Sequence, residues 1–284
     1  MENVLIIDGN NLLFQMFYGF PNKIFNKSKR TIHATLGFIS YVLKQIKIFS
    51  IDKIIVVFDY DSSSERKEIL DSYKANRTIA YSLLNDEDNP FLEEEYIIRC
   101  LDYLNIKYIY SKNMEADDLI ASLAIKLSKT NKVIISSFDS DFYQLINDNI
   151  SILRYKGKNS EVFNSTYFND KFGFNPNRYV LFKSLTGDNA DNIKGIDGIG
   201  KIRATKIVKI CSTINEVDKN IENLVNQKVY KNYVNQKDIL LRNFNLIKLD
   251  VKQIDEYSLS LFDYDKNKIK LKNSQILSNC KVFD

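Results

Sequence analysis

The chain has 284 residues, enough for one large domain or two modest ones, and its 44% hydrophobic and 27% charged residues are typical of a globular protein. The net charge of +4 is mildly basic, so it permits a polyanionic partner without indicating one. The single histidine, His33, excludes a His-rich metal site, and three widely separated cysteines without a CxxC pair argue against zinc and favour a reducing, cytoplasmic compartment.

Strands and helices are predicted to alternate through the first half of the chain. We expect no signal peptide, because the chain opens with an acid and a strand pattern, and no membrane span, because no apolar run is long enough. The apolar runs favour a mainly parallel α/β sheet with helices on both faces. The predicted strands are 4–7, 53–58, 106–110 and 132–137, and the predicted helices are 34–48, 93–104 and 117–129, with another that begins near residue 12.

Carboxylates follow several of these strands directly. Asp8 follows the first strand, Asp59 the second, and Asp139 and Asp141 follow the fourth. Each one alone fits a turn or a helix cap. Because the carboxyl ends of parallel strands meet at one edge, where ligands bind in open α/β sheets, the set indicates a shared site.

Three acids crowd into the stretch Glu115-Ala116-Asp117-Asp118, at the start of a predicted helix. Acids suit a helix N-terminus, so simple capping explains one of them. Three together repel each other unless a hard cation such as Mg²⁺ lies among them. Taken alone, the stretch fits both interpretations.

The second half of the chain is patterned less clearly. A long polar segment, 60–90, interrupts the first half and contains Tyr73-Lys74-Ala75-Asn76-Arg77. Residues 251–284 are polar with little pattern. We predict short strands at 150–155 and 161–163, helices at 164–172, 177–185 and 201–210, and further helices within 216–250 with a closing strand near 245–249.

Three glycines, Gly195, Gly198 and Gly200, precede the predicted helix at 201–210. Glycines at a helix N-terminus expose backbone N–H groups to an anion such as phosphate. A plain helix-turn-helix corner with a left-handed glycine is the alternative. Lys201, Arg203 and Lys206 add positive charge there and favour the phosphate interpretation.

Together these motifs resemble the flap endonuclease, or 5′-3′ exonuclease, family, in particular its bacterial and phage branch and the N-terminal nuclease domain of bacterial family A DNA polymerases. The resemblance runs to about residue 250, and the order and spacing of its motifs are specific. It implies a PIN-like 5′ nuclease fold with a helical arch and a C-terminal helix–three-turn–helix DNA-binding region. The motifs are Ile7-Asp8-Gly9-Asn10 with Leu12-Leu13-Phe14, Phe58-Asp59, Tyr73-Lys74-Ala75-Asn76-Arg77, Glu115-Ala116-Asp117-Asp118, Asp139-Ser140-Asp141, Gly187-Asp188-Asn189-Ala190-Asp191-Asn192 and Gly195-Ile196-Asp197-Gly198-Ile199-Gly200.

The resemblance implies a two-metal site for Mg²⁺, which Mn²⁺ could replace. Two such ions roughly 4 Å apart can generate a hydroxide and neutralise the leaving oxygen of a phosphodiester. Asp8, Asp59, Glu115 and Asp117 are implied near the first metal. The second metal and the surrounding water shell are implied to use Asp118, Asp139, Asp141, Asp188 and Asp191.

The resemblance also implies where DNA is held. Lys74 and Arg77 match the arch motif and would meet a phosphate, and Tyr73 could stack on a base; without the resemblance, the triplet fits an exposed helical face. The segment from Gly195 to Lys206 would hold a duplex phosphate, with a K⁺ ion on backbone carbonyls, and would bind independently of sequence.

One departure from the family pattern stands out. Asp139-Ser140-Asp141 replaces the usual Asp-Lys-Asp, which removes one positive charge beside the metals. All nine acids are present. We therefore expect a nuclease that cuts DNA at 5′ flaps, ends or nicks, acts as a monomer, and is either a stand-alone protein or a piece of a longer one.

Two other functions compete with this hypothesis. A non-catalytic DNA-junction binder could keep the same scaffold, but it gains nothing from acids that face phosphates. A small PIN-type ribonuclease shares the acid-edged sheet, but the glycine corner and the 60–90 segment disfavour it. We expect two regions, a catalytic one at 1–185 that includes the arch at 60–90, and a DNA-binding one at 186–284.

Overall fold

A parallel sheet forms the centre of the protein, as seen in a computed structural model that describes residues 1–60, 69–70, 88–112, 114–254 and 256–284. Six strands lie in the order β3-β2-β1-β4-β5-β6, and only β6 runs antiparallel to its neighbour. The predicted fold class is confirmed. The strands are β1 (Asn3–Asp8), β2 (Lys53–Asp59), β3 (Lys107–Ser111), β4 (Lys132–Ser136), β5 (Ile150–Arg154) and β6 (Glu161–Phe163).

Helices cover both faces of this sheet. One face carries α1 (Gly9–Gly19), α2 (His33–Ile48) and α3 (Glu94–Tyr103), and the other carries α4 (Ala116–Leu127). The period of two along β1 explains this division, because Val4 and Ile6 pack towards α4 whereas Leu5 and Ile7 pack towards α1 and α2. Burial on both faces accounts for the unbroken apolar runs in the sequence.

Most helices in the remainder of the described chain continue the core on the α4 face, whereas the last helix packs on the α2 and α3 face. A two-stranded antiparallel ribbon, β7 (Gly187–Asp188) with β8 (Ile193–Lys194), separates two of its helices. The helices are α5 (Ser165–Phe172), α6 (Tyr179–Thr186), α7 (Lys201–Ile210), α8 (Ile214–Leu224), α9 (Gln227–Asn235), α10 (Lys237–Ile247) and α11 (Asn273–Asn279).

Two expectations about the C-terminal part are wrong. The closing strand expected near 245–249 is instead the end of α10, because Leu240, Asn243 and Ile247 are buried on one helical face. Residues 251–284 are not patternless, since Ile276 and Val282 are fully buried against the α2 and α3 side of the core. Within the described residues, the helices are too short or too polar to cross a bilayer.

Candidate metal centre

The sheet order places three strand-end acids side by side. Asp8 ends β1 and Asp59 ends β2, while Asp139 lies three residues after β4. Because β1 lies between β2 and β4 and pairs with both in parallel, these acids lie at one edge. Glu115 lies at the same edge, since it is the N-terminal cap residue of α4 after β3.

Asp8 is fixed by hydrogen bonds on both carboxylate oxygens. The Ser137 hydroxyl donates to Oδ2 at 2.7 Å, and the backbone N–H of Asn11 donates to Oδ1 at 3.1 Å. The residue is only 7% exposed. Burial raises the pKa of Asp8 to about 6 in spite of these two donors, and the charges of Asp139 and Asp59 raise it further. This carboxylate is therefore costly to ionise without a nearby cation.

The turn after β4 positions the next two acids. Asp139 caps a short 3₁₀ helix, Ser140–Leu145, by accepting a hydrogen bond of 2.8 Å from the Asp141 backbone N–H. Arg154 holds this turn, because it donates to the Phe138 carbonyl at 3.1 Å and to the Tyr143 hydroxyl at 2.9 Å. The sequence analysis missed Arg154, because it lies at the end of a strand without a recognisable motif.

The tightest carboxylate group in the described part of the chain combines Asp141, Asp188 and Asp191, from which one oxygen each lies within 4.8 Å of the others. Asp188 ends β7, and Asp191 is in the turn between β7 and β8. The side chains of Asp141 and Asp188 are 13% and 14% exposed, and Asp191 is 3% exposed. A set of hard oxygen donors at this spacing suits a divalent cation.

Asp141 has a raised pKa within this group. Burial raises its pKa to about 7, and the charges of Asp139 and Asp191 add to the effect, whereas Lys183 opposes it. Near neutral pH the Asp141 carboxyl is therefore close to its pKa, and a bound cation would keep it ionised.

Lys183 is the main functional candidate that the sequence analysis missed. Its ammonium forms salt bridges with both Asp141 and Asp188, and the distance to Asp188 Oδ2 is 2.5 Å. Burial lowers the Lys183 pKa, but the charges of Asp141, Asp139 and Asp188 outweigh burial and raise it overall. A lysine within the apolar run Tyr179–Leu185 was the available signal, because such a lysine is buried only when it is paired.

The acids of α4 have other surroundings. Asp117 and Asp118 are in the first turn of the helix, and the Glu115 side chain makes no capping hydrogen bond. Asp118 is 7% exposed, and its Oδ1 accepts from the Asp250 backbone N–H at 2.8 Å. Within the described part of the chain, Glu115, Asp117 and Asp118 do not belong to the close group of Asp141, Asp188 and Asp191.

The glycine corner has a compact geometry. A Cβ atom at Gly187 would lie 2.4 Å from the Gly195 nitrogen, so the ribbon strands approach closely only because both residues are glycine. Gly198 has a φ of +89°, in the left-handed region, and Gly200 is the cap residue of α7. Lys201 and Lys206 are exposed beside it. Arg203 is exposed as well, but it holds the loop through a 2.6 Å hydrogen bond to the Gly198 carbonyl.

The three arch residues Tyr73, Lys74 and Arg77 lie outside the described residues. Their assignment stays a prediction, as do the metal-ligand roles of the nine acids and the DNA contacts of the glycine corner.

Two family models cover most of the chain. Residues 3–173 match the 5′-3′ exonuclease N-terminal resolvase-like domain, and residues 174–270 match the 5′-3′ exonuclease C-terminal SAM fold. The chain belongs to the 5′-3′ exonuclease family. The predicted family and the predicted enzyme class, a nuclease, are confirmed.

Similar proteins agree with this membership. A "5′-3′ exonuclease" of Buchnera aphidicola is 31% identical over 271 residues, which are 94% of this chain and 86% of that protein. "DNA polymerase I, thermostable" of Thermus aquaticus is 32% identical over 66% of this chain, which spans only 21% of that protein. The similarity to the polymerase therefore concerns about a fifth of that protein's length.

Solved structures share the fold. The T5 D15 flap endonuclease in a pseudo-enzyme-product complex with DNA and metal ions has a TM-score of 0.72 and 22% identity, over 98% of this chain and 99% of that one. The catalytic core of Rad2 in complex with DNA substrate has a TM-score of 0.58 and 16% identity, over 98% of this chain and 92% of that one.

Proposed function

We propose that this 5′-3′ exonuclease family member is a metal-dependent, structure-specific nuclease that cuts 5′ flaps and degrades duplex DNA from its 5′ end. Its role would be in DNA repair and in primer removal during replication. The observation that carries the proposal is the group of Asp141, Asp188 and Asp191, beside the strand-end acids at the ligand-binding edge of a parallel sheet. The T5 flap endonuclease and Rad2 structures, which are complexes with DNA, support the substrate class.

The described residues fit a pair of divalent cations, because the donors at this edge are carboxylates and two of them, Asp8 and Asp141, are buried with raised pKa values. We assign one ion to Asp8, Asp59, Glu115 and Asp117. The other ion and its water shell are assigned to Asp141, Asp188 and Asp191, with Asp118 and Asp139. Bound Mg²⁺ or Mn²⁺ would supply a metal-activated hydroxide and charge neutralisation at the phosphate.

The protein's own groups would prepare this chemistry. Ser137 and Asn11 hold the Asp8 carboxylate, and Arg154 holds the turn that presents Asp139 and Asp141. Lys183 neutralises part of the acidic charge, which would otherwise repel both the scissile phosphate and its neighbours.

The acids also make a cationic DNA contact necessary elsewhere. We assign Lys74 and Arg77 to the phosphate of the cleaved strand, and Tyr73 to base stacking. The glycine corner with Lys201 and Lys206 would hold a phosphate of the duplex, with K⁺ on nearby carbonyls. Binding of this kind is independent of sequence and weakens with salt.

A cleavage assay on labelled substrates tests the proposal. A 5′-flap duplex, a nicked duplex and a single-stranded RNA of the same sequence would be incubated with Mg²⁺ or with EDTA. We expect flap and nick cleavage only with Mg²⁺. Tight flap binding without turnover would instead support the non-catalytic DNA-junction binder, and a preference for single-stranded RNA would support a PIN-type ribonuclease.

Two further assignments belong to the proposal. Regions 1–185 and 186–284 would act as the catalytic and DNA-binding parts of a monomer. Light scattering of the purified protein, alone and with flap DNA, tests the monomer. The cytoplasmic location stays a prediction.

A further inference from the structure

Two cysteines that are far apart in the sequence lie close together in the fold, away from the carboxylates of the proposed metal centre. Cys100 is on α3 and is fully buried, and Cys280 follows α11 and is 6% exposed. The Cys280 Sγ lies 3.7 Å from the carbonyl oxygen of Arg99, the residue before Cys100. The two side chains also lie close enough to shift each other's pKa.

Of the two cysteines, Cys280 lines a surface pocket and Cys100 does not. Cys280 lies in the wall of an open pocket of about 750 Å³, lined by Arg99, Asp102, Tyr103, Asn279, Cys280 and Lys281. A small polar molecule in the pocket would therefore meet Cys280 and not Cys100, which is fully buried.

The charges around the pocket distinguish the two thiols. The hydrogen bond from Cys100, and then the cations Arg99 and Lys268, lower the pKa of Cys280 against the effect of burial. The same hydrogen bond, together with burial, raises the pKa of Cys100. Asp102 is the one acid in the pocket wall, and it is exposed.

We propose that Cys280 and Cys100 form a peroxide-responsive thiol pair, in which Cys280 is oxidised first and Cys100 then closes a disulfide between α11 and α3. Accessible thiolates beside a second cysteine are the usual sites of such chemistry. The geometry that carries the proposal is the approach of Cys280 to the backbone beside Cys100, in the wall of an open pocket that also contains Arg99 and Lys281.

The reaction balances with hydrogen peroxide as the only oxidant. The Cys280 thiolate attacks one peroxide oxygen, the O–O bond breaks, and the hydroxide that leaves takes up a proton to become water. Cys100 then loses its proton and attacks the sulfur of the sulfenic acid, whose hydroxyl leaves with that proton as a second water. Two thiols lose two electrons in total, and a dithiol reductant reverses the change.

The disulfide would also fasten the C-terminal residues, which hold the loop before α2. The backbone N–H of Lys27 donates to the Phe283 carbonyl at 3.2 Å, and Asn26 donates to the Val282 carbonyl at 3.3 Å. Oxidation would thus stabilise both segments, since the crosslink closes a long loop of chain.

The test treats the full-length reduced protein with hydrogen peroxide, blocks the remaining thiols and maps the peptides by mass spectrometry. We expect a Cys100–Cys280 crosslink, the loss of two hydrogens in the intact mass, and a melting temperature that rises by several degrees and falls again with dithiothreitol. Cys211, which is fully buried, is the internal control and should react more slowly by on the order of tenfold.

Variants separate the two steps. Cys100→Ser should stop at a sulfenic acid on Cys280 that dimedone traps, Cys280→Ser should leave Cys100 as a thiol, and Cys211→Ser should behave as the wild type. The wild-type result stands even if a variant fails to fold. Oxidation of Cys211 ahead of the pair, or an equal yield of crosslink in the urea-unfolded chain, would overturn the proposal.

Discussion

The Nζ atom of Lys183 lies 2.5 Å from Oδ2 of Asp188, inside the group of acids to which we assign a metal ion. The same ammonium pairs with Asp141, so one buried cation compensates two buried carboxylates. The Lys183 ammonium and a bound metal ion would therefore both neutralise the same carboxylates, so their contributions to the free energy of unfolding should be linked.

The first prediction concerns Lys183→Met. Loss of the ammonium leaves two carboxylates without their partner, so in EDTA the free energy of unfolding should fall by about 3 kcal/mol. Saturating Mg²⁺ should recover more stability in the variant than in the wild type. Urea unfolding with and without Mg²⁺ measures both effects.

Lys171→Met is the matched control. Its Nζ atom lies 2.5 Å from Glu161 Oε1, but the two side chains are 42% and 24% exposed, so removal of the pair should cost less than about 1 kcal/mol, with or without Mg²⁺. If the two variants lost equal amounts of unfolding free energy, the salt bridges of Lys183 would contribute no more than an ordinary surface pair.

The second prediction concerns Asp141→Asn. Replacement of a carboxylate by an amide removes a charged metal ligand, so cleavage of flap DNA in Mg²⁺ should fall by on the order of 100-fold or more. Flap binding should stay largely intact, as measured by fluorescence anisotropy. The exposed Asp148, which lies outside the acid cluster, gives the control Asp148→Asn. Undiminished cleavage by Asp141→Asn would reject the site.

The third prediction concerns pH. Because the pKa of Asp141 is raised from 3.8 to about 7, the folded chain binds more protons here than the unfolded chain between those values. The free energy of unfolding without metal should therefore fall as pH rises through this window. Asp141→Asn lacks this titration, so in EDTA its stability relative to the wild type should increase from about pH 5 to about pH 8.

The same titration predicts the metal response. A cation must displace the proton, so divalent-ion affinity should rise with pH up to about 7 and then level off. Calorimetry at several pH values measures the divalent-ion affinity. An affinity that does not change between about pH 4 and about pH 7 would contradict the raised pKa of Asp141.

The fourth prediction concerns Lys74→Ala. If Lys74 meets the phosphate of the cleaved strand, the single-turnover rate should fall by on the order of 100-fold, with a much smaller change in flap binding. Lys129→Ala, an exposed lysine after α4, is the control. An unchanged rate would remove Lys74 from the mechanism.

The fifth prediction concerns Arg154→Lys. A lysine keeps the charge but cannot donate to the Phe138 carbonyl and the Tyr143 hydroxyl together, so the turn with Asp139 and Asp141 should loosen. Mg²⁺ affinity and the cleavage rate should each fall by about tenfold. A melting temperature lowered without any change in Mg²⁺ affinity would make Arg154 a structural residue only.

Sequence patterns predicted the sheet well because its strands are buried on both faces. The run 54–58 has no polar residue, and a carboxylate ends both β1 and β2. The helix Lys201–Ile210 was also predicted with its observed bounds, because glycines mark its start.

The failures have a physical cause in tertiary packing. The end of α10 contains the fully buried Asn243. Its burial is tolerated because its side chain donates to the Ser184 and Lys194 carbonyls, and local sequence patterns cannot show such distant partners. Lys183 was missed for the same reason, since its partners are 42 residues before it and five residues after it along the chain. Val282 looked exposed in sequence because the core that covers it comes from α2 and α3.

The place of β1 in the middle of the sheet has a consequence during synthesis. Asp8 is made first, yet Ser137, which orients its carboxylate, follows 129 residues later, and Asp188 and Asp191 later still. An unfinished chain on the ribosome thus carries Asp8 without the later residues of the proposed metal centre, so the centre can assemble only after most of the chain has been made.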